Sequence, residues 1–195
     1  MSRVEANKQQ KKNSMMETAF QLFTSKGIAN TTISDIVEMA GVAKGTFYLY
    51  FKDKYDLNEK LIIHRSEQLM RHALEHSGYE KLETNTDKLL VIMDDILFQL
   101  KENPLLLRFL NKRISWELFY KVMEKNEEGY AAVFKNIPGQ DDAGRKNLEI
   151  ELFTIIEMVS AVSYSVILTS DPVSLEEFLP YLHRSIRAIV ASFHK

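Results

Sequence analysis

The chain has 195 residues, of which 45% are hydrophobic, and this content allows one or two globular domains and excludes global disorder. It has no cysteine, which excludes a disulfide scaffold, thiolate metal sites and a cysteine nucleophile. The net charge of −2 is unevenly distributed, because residues 1–54 carry eight Lys or Arg against five Asp or Glu. A basic N-terminal module on an acidic body indicates that one end of the protein meets nucleic acid.

Helical spacing of apolar residues, with only seven glycines and four prolines, predicts an all-α fold of about nine helices. In chain order the predicted helices cover residues 8–26, 33–40, 43–51, 54–76, 86–102, 105–112, 114–135, 145–169 and 174–193. The segment 136–144 is predicted to be a loop. The polar N-terminus and the short apolar runs predict no targeting or membrane segment, so we expect a cytoplasmic protein.

The second and third predicted helices form a helix-turn-helix candidate. Thr32 is a candidate N-cap with Asp35 completing a capping box, and Gly41 is placed to allow the tight turn with positive φ. At the start of the next helix, Lys44 and Thr46 supply polar groups for a major groove, and Gly45 lets the backbone approach closely.

The segment 31–57, TTISDIVEMAGVAKGTFYLYFKDKYDL, resembles the DNA-binding signature of the TetR family of bacterial transcription regulators. The resemblance covers residues 12–60 and rests on a spaced set of matching positions: Thr32, Ala40-Gly41-Val42, Gly45-Thr46-Phe47-Tyr48, Tyr50-Phe51, Lys54 and Leu57. Many relatives have Ser where this chain has Ala43, which removes a cap, and His where it has Tyr50. The resemblance implies a DNA-binding domain in residues 1–53 and a ligand-binding and dimerisation domain in residues 54–195.

The resemblance also implies roles for single residues. The implied DNA-binding residues are Thr32, Ser34, Lys44, Gly45, Thr46, Tyr48, Tyr50 and Lys54. Of these, Lys44, Gly45 and Thr46 would lie in the groove, and the others would meet phosphate. Other interpretations stay open: the two tyrosines as packing aromatics, Thr32 as only a cap, and Lys54 as a solvated residue of a first helical turn.

Two apolar stripes on the last two predicted helices suit a four-helix dimer interface. The predicted interface residues are Leu152, Ile156, Val159, Ser163, Leu179, Leu182, Ile186 and Val190. The alternative is that these stripes pack within one subunit. In the family the middle helices enclose a small-molecule pocket, and the candidates here are Met93, Leu97, Phe98, Trp116, Tyr120, Phe153 and Tyr164. Each of them is otherwise an ordinary core residue.

We expect no enzyme, cofactor or metal site, because the sequence has no GxSxG, P-loop, Rossmann or HExxH motif. His64, His72 and His76 share one helix face, but no acidic residue completes a metal motif, so this is read as a polar face. The expected function is a homodimeric transcription regulator, a repressor released from a palindromic duplex operator by a largely apolar ligand. The alternative is an architectural or division-control DNA-binding protein of the same fold without an inducer.

Overall fold

The computed structural model describes residues 3–110, 121–122 and 142–193. In this part of the chain eight α-helices occur and no strand. They are α1 (Arg3–Lys26), α2 (Ile33–Met39), α3 (Lys44–Tyr48), α4 (Lys54–His76), α5 (Asn85–Glu102), α6 (Pro104–Leu110), α7 (Asp142–Leu168) and α8 (Leu175–Phe193). The chain divides into two compact units, residues 1–65 and 66–195. The all-α prediction is confirmed.

Several predicted boundaries differ from the observed ones. Helix α1 begins at Arg3 instead of residue 8, and α3 ends at Tyr48 instead of residue 51. Helix α7 begins at Asp142, inside the segment predicted as a loop. A 3₁₀ turn at Tyr79–Lys81 was not predicted. Of the predicted helix over 114–135 only residues 121–122 are described, and they are helical; most of the predicted loop lies outside the described residues.

The first unit is built around aromatic and aliphatic side chains of α1 to α4. Its core residues are Met15, Met16, Ala19, Phe23, Ile36, Val37, Phe47, Phe51, Leu57, Leu61 and Ile62. The hydroxyl of Ser14 on α1 donates to the Ala40 carbonyl at the end of α2, at 3.2 Å. Arg65 binds the Glu17 carboxylate at 2.6 Å and lies over the Phe20 ring, so the fourth turn of α4 is held to α1.

The second unit has a core made by α5, α7 and α8. The buried cluster contains Leu90, Met93, Leu97, Ile155, Val166, Leu175, Leu182 and Ile186. Polar ties join α5 to α8: His183 Nε2 lies 2.8 Å from Asp94 Oδ1, and Arg187 binds Asp87 at 2.6 Å. Partial burial raises the pKa of Asp94, and the histidine opposes this. A capping box of Ser174 and Glu177 starts α8.

Helix α7 is long and apolar enough over residues 146–168 to cross a membrane by length and composition alone. The sequence analysis expected no such segment because it looked for uninterrupted apolar runs. Glutamates such as Glu151 interrupt the runs in α7, but the mean hydropathy of its most apolar segment is still 1.6. A core helix of a soluble protein passes the same test, and α7 contributes Ile155 and Val166 to the core. Only 28% of the most apolar segment of α7 is buried, so much of this helix remains exposed.

The start of α2 confirms the predicted capping box. The Thr32 side-chain oxygen accepts from the Asp35 N–H at 3.1 Å, and Asp35 Oδ2 accepts from the Thr32 N–H at 2.9 Å. Lys26 also binds Asp35 Oδ2 at 2.7 Å. The hydrogen bond from Lys26, together with those from Thr32, lowers the pKa of Asp35 from 3.8 to about 2.

We predict that Asp35→Asn lowers stability at neutral pH and that this effect fades in acid. The pKa of Asp35 is lower in the folded state, so its ionised form stabilises the fold above the unfolded value of 3.8, and this contribution is lost as pH falls toward about 2. Urea unfolding of both proteins from about pH 7 to about pH 3 measures the difference.

The matched control is Glu38→Gln, which removes the same charge from the exposed last turn of α2. This change should leave stability unchanged or raise it slightly, because a negative charge is unfavourable near a helix C-terminus. A difference between wild type and Asp35→Asn that stayed constant down to about pH 3 would contradict the assignment.

Candidate nucleic-acid interface

A tight turn joins α2 to α3. The Gly41 N–H donates to the Glu38 carbonyl at 3.2 Å, and the Val42 N–H donates to the Val37 carbonyl at 3.0 Å. Gly41 has φ +66, as the sequence predicted, and a Cβ there would meet no atom within 4 Å. The left-handed backbone, rather than crowding, therefore accounts for glycine at this position.

Helix α3 is held by one buried ring. Phe47 is fully buried and packs edge-on against Tyr48, with ring centroids 5.5 Å apart, and against Phe51 at 5.4 Å. The opposite side of the helix is exposed, and we call Lys44, Gly45, Tyr48 and Leu49 the exposed face of α3. Ala43 starts the helix without a side-chain cap, as its departure from the family pattern implied.

Gly45 has no structural reason to be glycine within the described chain. Its φ is not in the left-handed region, and a Cβ at this position would meet nothing within 4 Å. Glycine inside a helix destabilises it by about 0.5–1 kcal/mol relative to alanine. A residue that costs stability and fills no internal need is typical of a surface where another molecule must approach the backbone closely.

Three of the implied phosphate contacts lie at the surface of the first unit. Thr32 and Ser34 are exposed at the start of α2, and Tyr48 has 55% of its surface exposed. The Thr32 oxygen accepts the capping hydrogen bond, and its hydroxyl hydrogen can still be donated. Thr46 is half-buried beside the exposed face of α3.

Tyr50 is half-buried and packs against Phe51, with centroids 6.2 Å apart. It also lines an open groove with Glu5, Lys8 and Gln9 of α1. The earlier start of α1 adds Glu5 to the helix, whereas Lys8 and Gln9 lie within the helix predicted from residue 8. The exposed lysines Lys8, Lys11, Lys44 and Lys52 give the first unit its positive surface.

Lys54 has an internal role that the sequence reading missed. Its ammonium donates to the carbonyls of Ala29 and Thr31, at 3.0 and 2.9 Å, and thus holds the connection between α1 and α2 to the start of α4. Two of its three N–H donors are engaged, so one remains for the implied phosphate contact. Because both acceptors lie more than twenty residues earlier in the chain, no local pattern could have revealed them.

The second unit contains an apolar cavity of about 150 Å³. Two predicted pocket residues, Met93 and Leu97, line it together with side chains of α4, α6 and α7. Phe98, Phe153 and Tyr164 do not line it, and their side chains are 38%, 47% and 36% exposed. Trp116 and Tyr120 lie outside the described residues.

The described lining carries no charged side chain. Its three serines are Ser66, Ser160 and Ser163, and the Ser163 hydroxyl donates to the Ser160 carbonyl within its own helix at 3.2 Å. The other lining residues are aliphatic or methionine. This chemistry suits an uncharged apolar ligand or the hydrocarbon part of a larger one.

The residues of the predicted dimer stripe differ in how far their own chain buries them. Leu152, Leu182 and Ile186 are at most 2% exposed, and Leu179 and Val190 pack against the same core. Ile156, Val159 and Ser163 line the cavity. Leu152, Leu182 and Ile186 thus pack within one chain, whereas Ile156, Val159, Leu179 and Val190 stay half-buried, and their part in a dimer interface remains a prediction. An amphipathic stripe predicts a buried face but not whose side chains bury it.

A different face of α7 carries exposed apolar side chains around Glu157. Ile150, Phe153 and Tyr164 are 44%, 47% and 36% exposed, and Ala161 lies between the two aromatic residues. Helical spacing places these four residues on one side of the helix. We call Ile150, Phe153, Ala161 and Tyr164 the outer face of α7.

The histidines of α4 form local contacts. His72 Nδ1 lies 3.0 Å from Asp95 Oδ1, and the His72 and His76 rings stack at 4.1 Å. Within residues 3–110, 121–122 and 142–193, no three metal-ligating side chains come together.

Comparisons with known proteins match the segment that forms this interface. Residues 15–61 match the family described as "Bacterial regulatory proteins, tetR family". The chain is 41% identical over 61 residues to the uncharacterized HTH-type transcriptional regulator YvdT of Bacillus subtilis, covering 31% of this chain and 29% of that protein. It is 31% identical over 112 residues to the HTH-type transcriptional regulator SAR2658 of Staphylococcus aureus, covering 53% and 60%. The match thus spans less than two thirds of either relative.

Solved structures of the same architecture cover most of the chain. The fatty acid degradation regulator FadR of Bacillus halodurans aligns over 90% of this chain and 94% of its own, with a TM-score of 0.61 and 20% identity. FadR of Bacillus subtilis, solved with stearoyl-CoA, aligns over 89% and 96%, with a TM-score of 0.59 and 19% identity. At this identity the likeness concerns the fold.

Proposed function

We propose that the chain is a member of the TetR family of bacterial transcriptional regulators and a homodimer that binds duplex DNA through the exposed face of α3. Gly45 carries the proposal, because it costs helix stability and leaves the backbone open on the side where α3 would enter a major groove. Lysines around that face supply the charge that phosphates attract. The site of action is bacterial DNA in the cytoplasm.

A single helix-turn-helix makes too few contacts for tight binding, so two copies are needed on a two-fold symmetric operator. We propose the outer face of α7 as the surface that joins the copies. It carries the exposed side chains of Ile150, Phe153 and Tyr164 around Glu157, on a helix whose most apolar segment is 28% buried by its own chain. Ala161 between the aromatic residues allows close helix approach.

We further propose that an apolar ligand in the cavity releases the protein from DNA. The described lining of the cavity favours uncharged groups. An architectural protein without an inducer would be expected to have a filled core, so the cavity favours a ligand-binding regulator. Release requires that the ligand bind the DNA-free conformer more tightly than the DNA-bound one. With a ligand that favours the free form, the protein acts as a repressor.

We predict that Gly45→Ala separates folding from DNA binding. The variant should be more stable by about 0.5–1 kcal/mol, because alanine is the better helix former and its Cβ meets nothing in the protein. Its affinity for duplexes selected from a random library by the wild type should fall about tenfold or more, since the added methyl group displaces base contacts worth about 1–3 kcal/mol each. Urea unfolding and fluorescence anisotropy measure the two effects.

Gly41→Ala is the matched control, because it adds the same methyl group at φ +66 and should reduce stability by about 1–2 kcal/mol. If Gly45→Ala bound DNA as tightly as the wild type, α3 would not be part of the DNA interface. Loss of stability in Gly45→Ala would show that the glycine serves the fold.

We predict that benzene stabilises the wild-type protein and not Val159→Phe. An apolar cavity of about 150 Å³ accommodates benzene, and ligand binding to the folded state raises the melting temperature. A phenyl ring at position 159 fills the space instead. Leu105→Phe, on an exposed leucine away from the cavity, should keep the benzene response. An unchanged wild-type melting temperature in saturating benzene would count against a ligand site here.

We predict that Phe153→Asp converts the dimer to a monomer. A second carboxylate on the outer face of α7, four residues before Glu157, would have to be buried at the interface next to a like charge, which costs several kcal/mol. Light scattering after size-exclusion chromatography measures the mass of each protein. Phe98→Asp is the matched control, because Phe98 is 38% exposed on α5, and it should leave the dimer intact. A dimeric Phe153→Asp, or a monomeric wild type, would refute the assignment.

A further inference from the structure

Leu49 is the most exposed large hydrophobic residue of the described chain. Its side chain is 79% exposed, so it contributes little to the core. The residue ends α3 in a right-handed helical conformation, and its N–H donates to the Thr46 carbonyl at 3.2 Å. The backbone around Leu49 is therefore ordered, and the leucine side chain is held out from an ordered turn.

Helical spacing places Leu49 beside the open backbone of Gly45, four residues earlier, and next to Tyr48. These three residues form an apolar facet on the exposed face of α3. Gly45 has no side chain to fill the space, so the end of the leucine is accessible to a partner from the Gly45 side. Lys44 in the first turn of α3 and Lys52 just after it are the exposed charges nearest the facet in sequence.

We propose that Leu49 is a specificity-determining residue that contacts the C5 methyl group of a thymine in the major groove. The thymine methyl is the apolar group that base pairs present in that groove, and an aliphatic side chain recognises it by burial. The flanking lysines favour a polyanion over an apolar protein partner as the occupant of the facet. The inference rests on the proposed DNA-binding function and specifies which base that site reads.

Deoxyuridine substitution tests the contact directly, because deoxyuridine lacks the C5 methyl group and keeps the pairing edge of thymine. The full-length wild-type protein first selects a duplex from a random library. Each thymine of that duplex is then replaced singly by deoxyuridine. We expect one thymine in each half-site whose replacement weakens wild-type binding about fourfold, the value for burial of one methyl group.

The leucine variants connect this effect to position 49. Leu49→Ala should bind the thymine and deoxyuridine duplexes equally, because the side chain that contacts the methyl group is gone. Leu49→Met, which keeps an apolar side chain of similar size, should retain the difference. Leu105→Ala is the matched control: Leu105 is an exposed leucine outside the first unit, and its loss should leave the difference unchanged.

The proposal is overturned if Leu49→Ala keeps the preference for thymine over deoxyuridine, since another group then reads the methyl. It is also overturned if no thymine of the selected duplex is sensitive to replacement while wild-type binding stays tight and sequence-specific. Failure of the wild type to enrich any duplex is a separate result, because it refutes the proposed DNA-binding function itself. Circular dichroism of each variant confirms that the helices are intact.

Discussion

The burial of Phe47 is the constraint on which the arrangement of the first unit depends. A helix of five residues has too few hydrogen bonds to persist alone, so its orientation comes from packing. The buried ring contacts Phe51 and Tyr48, and the helical period then turns Gly45 and Leu49 outward. Lys54 holds the carbonyls at Ala29 and Thr31 and so fixes the chain that enters α2. The exposed face of α3 is thus determined by contacts made on its opposite side.

Local chemistry made the first unit predictable. The capping box at Thr32 and Asp35 and the positive φ at Gly41 depend on residues close together in sequence, and the structure has both. The internal role of Lys54 depends on acceptors far away in the chain, and no pattern of neighbours encodes it. The start of α1 at Arg3 was missed for a related reason, since its first turns are polar all round and carry no apolar period.

The second unit shows the limit of reading amphipathic stripes. The spacing of Leu152, Ile156, Val159 and Ser163 predicts an apolar face, of which Leu152 is buried by its own chain while the other three line the cavity. Phe153 and Tyr164 were assigned to a pocket because aromatic residues suit one, and they lie on the outer face instead. Burial is a property of the folded chain, and a helix with apolar residues on several sides gives no sequence signal that distinguishes its partners.

The proposed release from DNA needs an element shared by the two units, and helix α4 has residues in both. Its early residues Leu57 and Leu61 belong to the core of the first unit, and its later residues Leu69 and Met70 line the cavity. Close-packed side chains resist compression, so a ligand that changes the space around Leu69 and Met70 biases the conformers that α4 adopts. A ligand can shift the equilibrium between two conformers of α4 only as far as its affinities for the two conformers differ. Tight binding that is equal for both conformers shifts nothing. A tenfold weakening of DNA binding therefore needs about 1.4 kcal/mol of differential ligand binding, which burial of about two methylene groups in one conformer and not the other would supply.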